Sequence, residues 1–172
     1  MDPLASRRVR AHLTDCVGYL GLAAATAPVG VLLVSTTSLG ESRLFAQLVS
    51  AVPPVAATLL AARAESGPHR ATWGKRRQGL EVAGAGGAAL PFSRALGRNT
   101  VKILVPWQLG HLTAIGAVGG GFEEGDALTY GSAVAVYATL GVVAATVLRR
   151  PGRGVHDRLV GGRVLLPAAP RG

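Results

Sequence analysis

The chain has 172 residues, 49% of them hydrophobic, with a mean hydropathy of +0.36, a formal net charge of +9 and a pI near 11.2. At this length it forms one domain at most. Such a charge could serve nucleic-acid binding, but the basic residues sit in blocks between long runs almost free of charge rather than along amphipathic faces, so a nucleic-acid partner is not expected. The single cysteine, Cys16, excludes an intrachain disulfide and a cysteine-rich metal site, and in its apolar run it reads as a small buried residue.

A helix needs about 20 mostly apolar residues to cross the hydrocarbon core. Four stretches meet that length: 16–35, 44–62, 103–121 and 130–148. The first is too long for the apolar core of a cleaved signal and reads as a retained span. In the second, Pro53 and Pro54 remove backbone donors and predict a kink, with Ser50 placed to satisfy a freed carbonyl. Pro106, Gln108 and His111 interrupt the third, which is the weakest. The fourth carries no charge, and Gly131/Ala135 and Gly141/Ala145, like Gly21/Ala25 in the first, have the small-residue spacing that lets helices approach closely. The same pairs also follow from the abundance of Ala and Gly. The expected fold is an all-α membrane bundle of four transmembrane helices with short basic loops, a single domain over 1–172.

Four spans place 17 of the 18 basic residues on one side, in the N-terminal segment, the 63–102 segment and the tail. Only Arg43 falls on the other side, where the 122–129 loop carries Glu123, Glu124 and Asp126. Basic residues collect in cytoplasmic loops, so both termini and the central segment are expected in the cytoplasm. Arginine outnumbers lysine 16 to 2, which hints at a GC-rich genome. Arg94, Arg98 and Lys102 fall four apart and form one basic stripe, expected to lie against anionic headgroups. Residues 79–90, rich in Gly and Ala, read as a short turn or hairpin.

Two groups of polar residues stand out. Asp15 lies just inside span one, where an acid must be paired or face a wet cavity. Arg8 is two turns earlier on nearly the same face, and Arg98 and Asp157 lie at the same border of the membrane. Arg8, Asp15, Arg98 and Asp157 thus form either an ion entry site or, more simply, a clamp of ion pairs tying helix ends together. The second group is Gln108 and His111, one turn apart near mid-membrane. His111 is either a proton-exchanging group or a neutral histidine hydrogen-bonded across helices. Trp107 reads as a packing or interfacial residue. No phosphate loop, nucleophile elbow or histidine ligand spacing is present in the sequence, so no enzyme activity, cofactor or metal is expected.

Three stretches carry a resemblance. Arg8, Ala11 and Asp15 fit an R-x-x-A-x-x-x-D opening; Thr72, Gly74, Lys75, Gly79, Leu80 and Val82 fit T-x-G-K-x-x-x-G-L-x-V; His156, Asp157, Val160, Gly161 and Val164 fit H-D-x-x-[AV]-G-x-x-V. In order and in position relative to the spans, these resemble the RDD family of small multi-pass bacterial membrane proteins. Lys102 and Pro106-Trp107-Gln108-Leu109-Gly110-His111 are similar to the K-x-x-P-W-[EQ]-L-x-H of a subgroup, with one extra residue before the proline. The closing motif has Gly161-Gly162 where Gly-Thr is usual, and a fourth span departs from the three of many members. The resemblance implies the plasma membrane of a bacterium. It implies either an accessory or scaffold protein, bound to partner membrane proteins or to its own copies, or a proton-coupled sodium transporter.

Overall fold

The structure is a computed structural model and describes residues 2–38, 42–149 and 152–166. Glu41, and Arg150 and Arg171 of the basic tail, lie outside the described residues. Helix α1 (Pro3–Thr36) opens on Asp2, whose carboxylate accepts from the Leu4 and Ala5 amides, so the first span continues 13 residues before Cys16 as one rod. Span two is broken. Helix α2 (Arg43–Ser50) stops at Ala51, and α3 (Val52–Ser66) starts again with Pro53 and Pro54 in its first turn, where their missing donors are tolerated. Ser50 Oγ donates to the Gln47 carbonyl at 2.9 Å, which already receives the Ala51 amide, so it does not serve the carbonyls the prolines free.

Span three combines α5 (Phe92–Asn99), a π-helical turn over Thr100–Leu104, and α6 (Val105–Val118). Pro106 cannot donate to the carbonyl one turn earlier, and the helix widens by one residue just before it. The extra residue between Lys102 and Pro106 is therefore absorbed as a π turn. Span four is α7 (Ala127–Arg149). All four are long and apolar enough to cross a membrane, and the chain is an all-α membrane protein.

The small-residue spacings do not mark packing inside the chain. A Cβ on Gly21, Gly131 or Gly141 would meet nothing within 4 Å. The close approach is elsewhere: Gly116 of α6 lies directly against the Thr129 side chain of α7. Thr113 and Ser132 add a 2.9 Å hydrogen bond between these helices. At this end of the bundle the exposed Arg43 lies 3.9 Å from Asp126.

At the opposite end a small globular layer forms. Helix α4 (Trp73–Arg77) packs on α1, and α8 (Val155–Leu159) packs on α5 and α7. Strands β1 (Glu81–Ala83) and β2 (Arg163–Leu165) pair antiparallel, with Val82 opposite Val164. The 79–90 stretch is thus only partly the local turn its composition predicts: Ala83 bridges Ala89, but its main partner is the distant C-terminal strand. Gly79 and Gly161, both at positive φ, turn the chain at the edges of this pair. Leu80, Val82, Leu90, Ala95 and Val164, all buried, form the core of the layer with Ala11 and Ala62.

Candidate functional site: a buried ring of charge

The charged residues at the basic end join in a ring that begins and ends on α1. Asp15 accepts the Gly74 amide at 2.8 Å and the Thr72 hydroxyl at 2.6 Å. Its carboxylate thereby caps α4 from another helix, where negative charge suits the exposed amides. Lys75 Nζ sits 4.0 Å from Asp15, donates to Thr72 Oγ1 at 3.3 Å, and donates to Glu65 Oε1 at 2.7 Å. Arg98 Nη1 straddles both Glu65 oxygens at 2.6 and 2.7 Å, and Asn99 Nδ2 adds a bond of 2.8 Å. Arg98 Nε continues to Asp157 Oδ1 at 2.7 Å. Asp157 Oδ2 receives Arg8 Nη2 at 2.7 Å and the Gly154 amide at 2.8 Å, which returns the ring to α1 and caps α8.

Three carboxylates and three cations alternate, so the ring is neutral, and each carboxylate has at least two donors. Glu65 and Asp157 are both fully buried, and Arg98 is 1% exposed. Ionised groups persist at such burial only when paired and hydrogen-bonded. Close packing lets the ring form: a Cβ on Gly74 would run into the Ala11 carbonyl of α1.

Arg8, Asp15, Arg98 and Asp157 do converge, as the sequence predicts, but Arg8 pairs with Asp157 rather than with Asp15. Arg98 turns inward to two acids, which splits the expected headgroup-facing stripe and leaves Arg94 exposed. Sequence reasoning missed Glu65, and it gave no role to Thr72, Lys75, Asn99 or His156. Three of these stood in the motifs already. Glu65 had its own signal, as the only acid at the end of span two.

His156, 1% exposed, accepts from Arg8 Nη2 at 3.4 Å through Nε2, so its proton sits on Nδ1. Burial, and then the nearby Arg98, push its pKa down from 6.5 to about 2. Burial alone would raise the Asp157 carboxyl, but Arg98 and Arg8 hold it well below the usual carboxylate range. His156 must stay neutral in the fold, so its contribution is complete above pH 6.5 and is lost as pH falls below that value. Asp157 loses its contribution only at still more acid pH. The thermal midpoint in detergent is expected to fall between pH 6.5 and 4.5, by about 1 kcal/mol per pH unit from His156. His156→Gln should flatten that slope, and an unchanged slope would remove His156 as its source.

The second candidate group is not one site. His111 Nε2 accepts from Trp107 Nε1 at 2.9 Å, one turn earlier in the same helix, rather than from another helix. An indole N–H only donates, so His111 is neutral with its proton on Nδ1, and the imidazole's remaining contact is with the Ser50 backbone of α2. Gln108 instead reaches across to Gln47 of α2 at 3.3 Å. Trp107 also packs on the Ala57, Ala61 and Ile103 cluster. Cys16 is half-buried beside His12, not buried. No cluster of potential metal ligands occurs among the described residues.

No match was found among curated proteins or among solved structures. The pattern of one family matches residues 3–161, which takes in all four spans and every member of the ring. The chain belongs to the RDD family of membrane proteins.

Proposed function

We propose that the chain is a non-enzymatic accessory or scaffold protein of a bacterial plasma membrane, with both termini and the 63–102 segment in the cytoplasm. Its reactive groups are spent on internal structure, while Gly21 of α1 and Gly131 and Gly141 of α7, which open the small-residue pairs, have nothing among the described residues within 4 Å of where a Cβ would stand. That contrast carries the reading. Small residues at this spacing are what a partner helix in lipid, or a second copy, packs against. The charge bias of 17 bases to 1 supports the orientation.

Proton-coupled sodium transport is the second reading. It is favoured by the buried Gln108 Oε1, which has no hydrogen-bond partner among the described residues, and by the neutral His111 one turn away. Against it, every ring carboxylate is already engaged. Liposomes containing the purified protein should hold sodium, potassium and pH gradients as long as protein-free vesicles do. Faster dissipation would overturn the accessory reading. His111→Ala would then be expected to abolish flux. Under the accessory reading the same change costs only about 1 kcal/mol of stability, the scale of a hydrogen bond in lipid.

A further inference from the structure

Lys102 lies beside the ring at the basic end without belonging to it. Lys102 is half-buried, and among the described residues no carboxylate lies within 4 Å of its ammonium and no hydrogen bond reaches it. The ring being neutral, a protonated Lys102 has no charge to balance it at the border of a low-dielectric interior, where an unpaired ion is costly and a bound anion would hold it in the charged form. The π turn puts it there. It breaks the four-residue spacing from Arg98: both side chains line one cavity, but Arg98 is bonded to two acids there and Lys102 to none among the described residues.

That cavity, of about 320 Å³, lies between α1 and α7. Its polar wall holds Lys102 and His12 together with Arg8, Lys75, Arg98 and His156 of the ring, and its α7 wall is apolar, with Leu140, Val143 and Val147. A second cavity, of about 370 Å³, shares His12, Lys102 and Leu140 and continues along Leu20 and Trp107. Within the membrane α7 packs on α6 and leaves the gap to α1 unfilled. Arg8, Lys75 and Arg98 are paired with acids, so the lining joins one cationic group without a carboxylate partner, Lys102, to a long apolar slot of the size that small ligands occupy.

We propose that this gap is a binding site for one anionic phospholipid of the bilayer, with its phosphate on Lys102 and beside His12 and an acyl chain along the α1–α7 slot. The charge excess selects an anion. The apolar walls beside a lipid-facing helix select an amphiphile that enters sideways from the membrane. The site stands whether the protein is an accessory module or a transporter.

The test is the lipid retained by the full-length protein, purified in neutral detergent from an equal mixture of phosphatidylglycerol and phosphatidylcholine and read by native mass spectrometry. The wild type is expected to keep one phosphatidylglycerol. Lys102→Gln should weaken its retention at least about tenfold, the scale of a lost charge-assisted bond. Ala144→Trp keeps every charge but fills the slot, and should also lose the lipid. Lys102→Arg and Arg94→Gln should keep it. Equal retention of phosphatidylcholine would overturn the site. So would loss in Arg94→Gln matching that in Lys102→Gln, or an Ala144→Trp variant that binds normally. Displacement of the lipid by inorganic phosphate would mark a small-anion site instead and would equally refute the proposal.

Discussion

Arg98→Gln is expected to destabilise the protein by about 3–5 kcal/mol, the cost of removing one partner from a buried ion pair. Arg98 joins two carboxylates of the ring, Glu65 and Asp157, at 2.6–2.7 Å, where Lys75 holds Glu65 closely but Asp15 only at 4.0 Å. Without it, Glu65 keeps Lys75 and Asp157 keeps Arg8, but three carboxylates face two cations in a site closed to water. The ring ties α1, α3, α5 and α8 to one another, so its loss should release the globular layer from the helices. Thermal melting in detergent, followed by size-exclusion chromatography, would show it. The exposed Arg94→Gln on the same helix should move the midpoint little, since exposed substitutions usually stay within about 0.5 kcal/mol. Equal effects of the two would mean the ring contributes nothing beyond surface charge.

Gly74→Ala is expected to cost about 1–3 kcal/mol or more, the range of overpacked sites. The added Cβ meets the Ala11 carbonyl, a backbone atom of a long helix, so no rotamer change can relieve it. It also presses on Asp15 Oδ1, 2.8 Å away, the atom that accepts the Gly74 amide. Gly131→Ala is the contrast. Nothing lies within 4 Å there, and the helix gains up to about 1 kcal/mol of propensity. If both glycines tolerate alanine equally in the melting assay, the α1–α4 contact is looser than described.

The four spans were legible because a 20-residue apolar run has few alternatives, and the gathering of charge at one end was legible from loop composition. The pairing was not. Arg8 and Asp15, seven apart on one helix, look like natural partners, yet each bonds outward to a different element. A periodicity gives the face of a helix, not what covers it. For the same reason the Gly131 and Gly141 spacings were no guide to internal packing, while Gly116, in no repeat, makes the contact. The stripe from Arg94 to Lys102 failed at two points: Arg98 is drawn inward by Glu65 and Asp157 while Arg94, on the same unbroken α5, stays exposed, and the π turn before Pro106 then shifts the register of Lys102. Glu65 was passed over because it reads as the first residues of a basic loop, and only the fold carries it to Arg98, 33 residues on.

The motif residues themselves now have physical roles. Ala11 and Gly74 let α1 and α4 touch, Asp15 and Asp157 cap short helices, and Val82 and Val164 close the strand pair. They describe how the basic end is built, and the membrane orientation decides which compartment that end meets.

Orientation is measured directly by labelling single cysteines in intact cells with a membrane-impermeant maleimide, after Cys16→Ser. Glu124→Cys and Ala88→Cys place thiols at exposed positions at opposite ends of the bundle. The first is expected to be labelled from outside and the second only after lysis. Labelling of both from the same side would contradict the four-span bundle, and the reverse pattern would place the ring of charge outside the cell.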